Sequence, residues 1–368
     1  MTKTRIILIL CLPVVLFLLV EIGLRLFHPA GEMPVIEAKF TNDIPGVARS
    51  VQWQFGADGL RTDGWPDSGA RILCVGSDNS SPMLQSNKDT WWGLAGADIT
   101  AKGMPVATGA IGSQGVVASS MLCWIRHVAP ALKPTVVVMS FGPGEVLYRP
   151  VGYRFVPGSL QTPMSTTPGG WKGTVLKMSQ IASHWRLHRQ KSQVEAQQAD
   201  LARENVLRDR MAEVHAVWEK APVIREMPWI HNPADEIAEC LREFAALGKQ
   251  FKFTPVVVWE PWPQRPGMDA AQTKSFHRLT FVGNGDKHIA ARIDPAWVDN
   301  RMKAFRMRAQ AVADGLGIAM VDASAAFDGT PGMFLDDTVW TDAGAKTMAA
   351  VVTPALEAIL SVNPQNGK

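Results

Sequence analysis

The chain has 368 residues, which is long for one domain of about 100–200 residues and enough to bury a large core. Hydrophobic residues at 46% and charged residues at 19% exclude a disordered chain and describe a globular protein with an added apolar segment. Net charge is only +3, from 37 basic against 34 acidic residues with no long basic run, so a nucleic-acid partner has no support.

At the N-terminus, Lys3 and Arg5 precede the uncharged run Ile6–Val20, and Ile22–Phe27 continues it with Glu21 and Arg25 near the far end. About 20 helical residues span a bilayer core. Residues 1–28 are therefore predicted to be a signal-anchor transmembrane helix, cytoplasmic at its N-terminus, placing the chain as a single-pass protein of an inner membrane with its main domain periplasmic. No small-x-small cleavage site follows; the next residues are His28-Pro29-Ala30-Gly31-Glu32. A cleaved signal peptide is the alternative, and it too exports the bulk of the chain. Residues 29–68 are rich in Pro, Gly and polar side chains and read as a spacer docked on the domain.

Five short apolar runs then read as strands: Arg71–Val75, Pro105–Thr108, Thr135–Met139, Pro255–Trp259 and Ile318–Asp322. Near-continuous apolar character is what parallel strands covered on both faces require. Helical stripes separate them: Val117, Met121, Trp124 and Val128; Ile237, Cys240, Leu241 and Phe244; Met302, Phe305, Ala309, Val312 and Leu316. Asn232-Pro233 and Asp294-Pro295 are helix starts, an oxygen-bearing cap followed by proline at the first helical position. The alternation predicts an α/β fold: a three-layer, doubly wound, parallel five-stranded sheet that binds ligands at the carboxyl ends of its strands. The domain spans 69–362 and carries a helical insertion at about 150–229 whose stripe is Leu207, Met211, Val214 and Trp218. That stripe packs on the domain or serves as a lid or arm for a protein partner. Cys11, Cys74, Cys123 and Cys240 sit in apolar or helix-patterned segments without metal-ligand spacing, so neither a metal site nor a disulfide frame is expected, and no cofactor motif is present.

Three stretches follow strand ends or approach the C-terminus: Gly76-Ser77-Asp78-Asn79-Ser80, Gly142-Pro143-Gly144-Glu145 and Asp337-Thr338-Val339-Trp340. In order and context they resemble the GDS(N/T), GxND and DxxH blocks of the SGNH/GDSL hydrolases. Gly59-Leu60-Arg61-Thr62 is similar to the N-x-x-G-L-R lead-in of membrane-anchored members. The resemblance implies an SGNH-hydrolase or flavodoxin-like fold. It places Asp78 at the nucleophilic serine, Gly144 at the oxyanion asparagine, Trp340 at the histidine base, Gly112 at the other oxyanion position and Asp337 at the acid.

Each catalytic position is thereby altered. An indole cannot take a proton, and Gly144 offers no side-chain donor, a loss worth about 10²–10³ in rate. Ser77, one residue early, is the remaining candidate nucleophile, with His231, His277 or His288 as candidate relocated bases. The same alignment converges three carboxylates, Asp78, Glu145 and Asp337, of which at least one should titrate high unless a cation or hydrogen bonds relieve it. Trp91, Trp92, Trp259, Trp262 and Trp340 fall on segments near the expected cleft, and Trp259-Glu260-Pro261-Trp262 leaves the fourth strand directly. Flat rings beside carboxylates suit a sugar chain; core filling is the other use of such rings. Members with this anchor are associated with envelope or exopolysaccharide work, including acyl transfer to or from sugars. Together with the altered positions, the resemblance implies a catalytically impaired protein that binds a glycan, an acylated polysaccharide or an assembly partner. An active carbohydrate esterase or O-acyltransferase using Ser77 is the alternative.

Overall fold

A computed structural model of the chain describes residues 36–41, 44–55, 59–82, 84–112, 116–147, 206–226, 233–276, 279–284, 287–327 and 332–362. The signal-anchor segment lies outside the described residues, as do 150–205 and 227–229 of the predicted insertion and Asn232. The central sheet begins with three strands the sequence reading did not anticipate: β1 (Ile36–Thr41), β2 (Ser50–Phe55) and β3 (Arg61–Thr62). Then come the five apolar runs as β4 (Ala70–Gly76), β5 (Val106–Gly112), β6 (Val136–Phe141), β8 (Thr254–Trp259) and β11 (Ala319–Asp322). The order across the sheet is β1-β2-β3-β5-β4-β6-β8-β11.

The last five strands are mutually parallel, and their order corresponds to 2-1-3-4-5 of a doubly wound sheet. The first three extend the β5 edge antiparallel. The predicted five-stranded sheet is thus corrected to eight strands. Part of the presumed spacer is sheet: in β2, Val51 and Trp53 are buried while Gln52 faces out, an alternation too short to stand out among the neighbouring Pro and Gly residues.

Successive side chains of each parallel strand go to opposite faces, and both faces are covered. Leu73, Val75, Val137, Met139 and Val257 point toward α2 (Ala118–Leu132), α5 (Pro233–Phe251) and α6 (Pro295–Leu316). Ile72, Cys74, Val136, Val138, Val256 and Val258 point toward α1 (Trp91–Ala101) and α7 (Asp342–Ser361). Each such side chain, fully buried, contributes about 1.5–3 kcal/mol, so the two-sided packing fixes the strand register and hence the positions of the strand ends. Asp294 caps α6 as its sequence suggests, accepting from the backbone N–H groups of Ala296 and Trp297, and Gly317 closes that helix in the left-handed region at φ 67°. Leu316, read as part of the buried stripe, is exposed at its end. Cys74, Cys123 and Cys240 are buried. Among the described residues one helix, α7, is long and apolar enough to cross a membrane; Met348, Val352, Leu356 and Leu360 pack it on the sheet.

A second, three-stranded sheet lies beside the first, in the order β7 (Val223–Ile224), β10 (Lys287–Ile293), β9 (Thr280–Asn284). It joins the end of the insertion to a hairpin between β8 and α6, so a strand occurs where the sequence pattern showed none. Helix α4 (Val206–Lys220) precedes β7. Its Trp218 is buried between His215 and Arg292, while Val214 of the same stripe is exposed.

Candidate functional site

The carboxyl ends of β4, β6 and β8 meet at one point, and glycines make the approach possible. A Cβ on Gly76 would lie 2.1 Å from Ser80 Oγ, and one on Gly142 would lie 2.6 Å from the Glu260 Cβ. The turn after β4 folds back on itself, with the Ser80 N–H donating to the Ser77 carbonyl at 3.1 Å. Two indoles pin its far side: Trp91 Nε1 donates to the Asn79 carbonyl and Trp92 Nε1 to the Ser80 carbonyl, at 3.1 and 2.8 Å. Ser77, Asp78, Asn79 and Ser80 are all buried.

Glu260 is the centre of this cluster. Its side chain is 1% exposed, at the first position beyond β8. Ser140 Oγ lies 2.6 Å from its Oε1; Asn79 Nδ2 and Ser77 Oγ lie 3.2 and 3.4 Å from its Oε2. Burial pushes the Glu260 carboxyl up to about 7; the donors from Ser140, Asn79 and Ser77 pull it down, and the negative charge of Asp78 pushes it further up. Glu260, which is not one of the three carboxylates that the resemblance converges, is thus a carboxyl of this cluster that titrates high.

The loop between 332 and 341 closes the cluster. Asn79 Nδ2 donates to the Thr338 carbonyl at 2.7 Å, and Asn79 Oδ1 accepts from the Trp340 N–H at 3.1 Å. A single side-chain amide thus pairs with the loop as a neighbouring strand would. Thr338 Oγ1 sits 2.9 Å from Asp78 Oδ2 and 3.1 Å from Asp336 Oδ1, and Asp336 accepts from the N–H groups of Thr338 and Val339. Thr341 caps α7 and bonds the Gly332 carbonyl at the base of the loop.

The lead-in supports this site from behind. Buried Arg61 on β3 donates through Nε to Asn87 Oδ1 at 2.6 Å, through Nη1 to the Pro82 carbonyl at 2.5 Å, and through Nη2 to the Gln85 carbonyl. Its burial lowers the guanidinium to about 9, partly offset by Asp63. A planar fork meeting two backbone carbonyls fixes the segment that follows the turn.

Several predicted site residues go elsewhere. Glu145 turns away to cap α2, accepting from the Ala118 N–H at 2.5 Å, because that helix begins after Val117, which has no capping side chain. Gly144 opens the short helix α3 (Gly144–Leu147). Gly112 packs beside the turn, where a Cβ would stand 3.0 Å from the Gly76 and Ser77 carbonyl oxygens. Asp337 is buried with its carbonyl 3.4 Å from Gln264 Nε2, while its neighbour Asp336 organises the loop backbone.

The aromatic platform is also corrected. Trp340, Trp259 and Trp262 are 2%, 0% and 2% exposed, so none has a face open to a ligand. Trp340 packs on Phe327, Trp259 on the edge of Phe141, and Trp262 donates to Asp299 at 3.1 Å. Large rings at the ends of strands were drawn into the core because burying them yields more than leaving them wet. His231 and His277 lie outside the described residues, as does the side chain of His288. Among the described residues, the hydrogen-bond partner of Ser77 Oγ is Glu260. Asn79, Ser140 and Asp336 were missed by the sequence reading. The spacing Asp336-x-Thr338, an aspartate bonding the backbone two residues on, was the available signal for the last.

No protein-family model matches the sequence, and no curated protein sequence matches it. Solved structures do resemble the fold, among them an acetylxylan esterase from Geobacillus stearothermophilus at 13% identity and TM-score 0.42, covering 79% of this chain and 95% of that one. Others are a lipase/acylhydrolase from Enterococcus faecalis at 13% and 0.40, covering 78% and 96%, and a GDSL-like lipase from Bacteroides thetaiotaomicron at 12% and 0.39, covering 78% and 88%. These neighbours are acylhydrolases and esterases. Likeness of this size carries no argument about chemistry, which rests on the side chains described above.

Proposed function

We propose that this chain is a membrane-anchored, extracytoplasmic protein of SGNH-hydrolase-like fold that has lost ester hydrolysis and works by binding a partner in cell-envelope or exopolysaccharide metabolism. The observation that carries the reading is the closed cluster around Glu260. A hydrolase needs an accessible nucleophile, an adjacent base and donors aimed at a developing oxyanion. Here Ser77 is 5% exposed and Trp340 is sealed into the core at the position the resemblance gives to the base. Asn79, a donor of the right type, is spent on Thr338 and Glu260. With the three indoles buried, a sugar-stacking role loses its argument, and a protein partner is the better-supported occupant. Val214, Val217 and Val223, at 41%, 55% and 47% exposed, give the region of α4 and β7 an apolar surface.

One observation favours the other reading. Ser77 Oγ lies 3.4 Å from a carboxyl that titrates near neutrality, and a carboxylate can take a hydroxyl proton. One experiment separates the two. The full-length protein, treated with a fluorophosphonate probe at pH 8, is expected to stay unlabelled and to release no p-nitrophenol from p-nitrophenyl acetate above the buffer rate. Labelling abolished by Ser77→Ala would establish the esterase instead.

A further inference from the structure

We propose that the Glu260–Asp78 carboxyl pair is a pH-operated latch on the tip of the 332–341 loop, closed while Glu260 carries a proton and released when it ionises. The loop is a self-bonded hairpin. Leu335 N–H donates to the Val339 carbonyl at 2.8 Å, Thr341 N–H to the Met333 carbonyl at 3.0 Å, and Phe334 bridges Trp340. Its base is held by buried Trp340 and by the Thr341 cap. Its tip is held by side chains of the β4 turn and the β8 exit: Asp78 on the Thr338 hydroxyl, Asn79 on the Thr338 carbonyl and Gln264 on the Asp337 carbonyl. Asp78 and Asn79 are also the groups that face Glu260, one through its charge and one through a hydrogen bond.

Every element packed on Glu260 bears on the two protonation states. The β4 turn contributes the hydroxyl of Ser77, the amide of Asn79 and the charge of Asp78; β6 contributes the hydroxyl of Ser140, with Gly142 against the Glu260 Cβ. Among the described residues, Asp78 is the charged group whose field acts on Glu260. With Glu260 protonated, its O–H donates across the 2.6 Å contact to Ser140 Oγ, whose own hydrogen rotates away, while Asn79 still donates to Oε2. The closed state then keeps its hydrogen bonds and holds one anion of the pair.

Loss of the proton to solvent leaves two buried carboxylates in each other's field, with Asp336 beyond Thr338 as a third acid. Lifting Thr338 lets water reach Asp78 and relieves the repulsion, which offsets the loss of the tip contacts, while the hairpin base stays in the core. Burial brings Glu260 to about 7, so the change falls in an ordinary pH range. Release uncovers Ser77 and Asp78 at the carboxyl edge of the sheet, where such folds bind ligands. Access to that edge is thereby gated by pH, whether or not Ser77 is reactive.

Amide hydrogen–deuterium exchange of the full-length protein between pH 5.5 and 8.5, corrected for intrinsic exchange, tests the latch. In the wild type, protection of peptides spanning 333–341 is expected to fall at least tenfold around pH 7, while peptides spanning 121–139 do not change. The step is expected to vanish in Glu260→Gln and to move to lower pH in Asp78→Asn, because Asp78 raises the Glu260 carboxyl. No step in the wild type, or the same step in Glu260→Gln, overturns the proposal. Should Glu260→Gln fail to fold, Asp78→Asn decides: a step displaced downward or lost supports the latch, and an unmoved step refutes it.

Discussion

Replacing Asn79 by alanine removes one side chain and strands the groups of two loops. The amide is 2% exposed and makes three bonds: to Glu260 Oε2 at 3.2 Å, to the Thr338 carbonyl at 2.7 Å and from the Trp340 N–H at 3.1 Å. Alanine leaves the Trp340 N–H and the Thr338 carbonyl without this partner inside the protein, and each such orphan costs about 1–3 kcal/mol. The lost donor to Glu260 adds a smaller amount. The expected loss is therefore about 3–5 kcal/mol, or roughly 10 °C in melting temperature for a domain of this size. Thermal and urea unfolding of the full-length protein at pH 6 measure it. Asn79→Asp is the companion: it keeps an acceptor for Trp340 but loses both donations and adds an anion beside Glu260 and Asp78. Its deficit should therefore shrink as pH falls, whereas that of Asn79→Ala should change less. A loss below about 1 kcal/mol for Asn79→Ala would mean that water substitutes for the amide, and that the loop is not held as argued.

Glu260 has a folded-state carboxyl raised from 4.5 to about 7, so the folded protein holds an extra proton between those values. Its contribution is full below about pH 4.5 and is lost as pH rises through 7. It amounts to about 3 kcal/mol. The stability difference between wild type and Glu260→Gln should shift by that order in favour of the variant from pH 5 to 8, and parallel pH profiles of urea unfolding would contradict the assignment. Trp340→Ala should destabilise by about 3–5 kcal/mol as a core truncation; an unchanged melting temperature would return Trp340 to the surface role that its burial argues against.

The sequence disclosed the parallel half of the sheet because Val, Ile and Leu runs such as Val136–Val138 have no other stable use than a strand covered on both sides. The antiparallel half stayed hidden. β2 alternates over a few residues only, and β3 is a two-residue strand recognised by its pairing with β5 rather than by composition. At the site, the blocks around Ser77 and Trp340 were located by order and spacing, and the structure brings the β4 turn and the C-terminal loop together. Burial was not legible there. Trp259, Trp262 and Trp340 carry no local mark that separates a ring facing a ligand from a ring facing a strand. Glu145 left the cluster for a helix N-terminus that lacked a cap of its own. Glu260 became the centre because β8 ends one residue before it, a boundary that sequence patterns place only to within a few residues.

The antiparallel extension also decides how the protein would respond to a pull from its N-terminal side. β1 pairs with β2 from Ile36 opposite Phe55 to Thr41 opposite Ser50, so the free end of the hairpin is the end where the chain enters. Tension applied at Ile36 loads the rungs one after another and unzips them at low force. The parallel strands behind them are anchored by helices on both faces and would have to shear many bonds at once. A tether on that side can therefore yield through β1 while the strand ends around Glu260 keep their places.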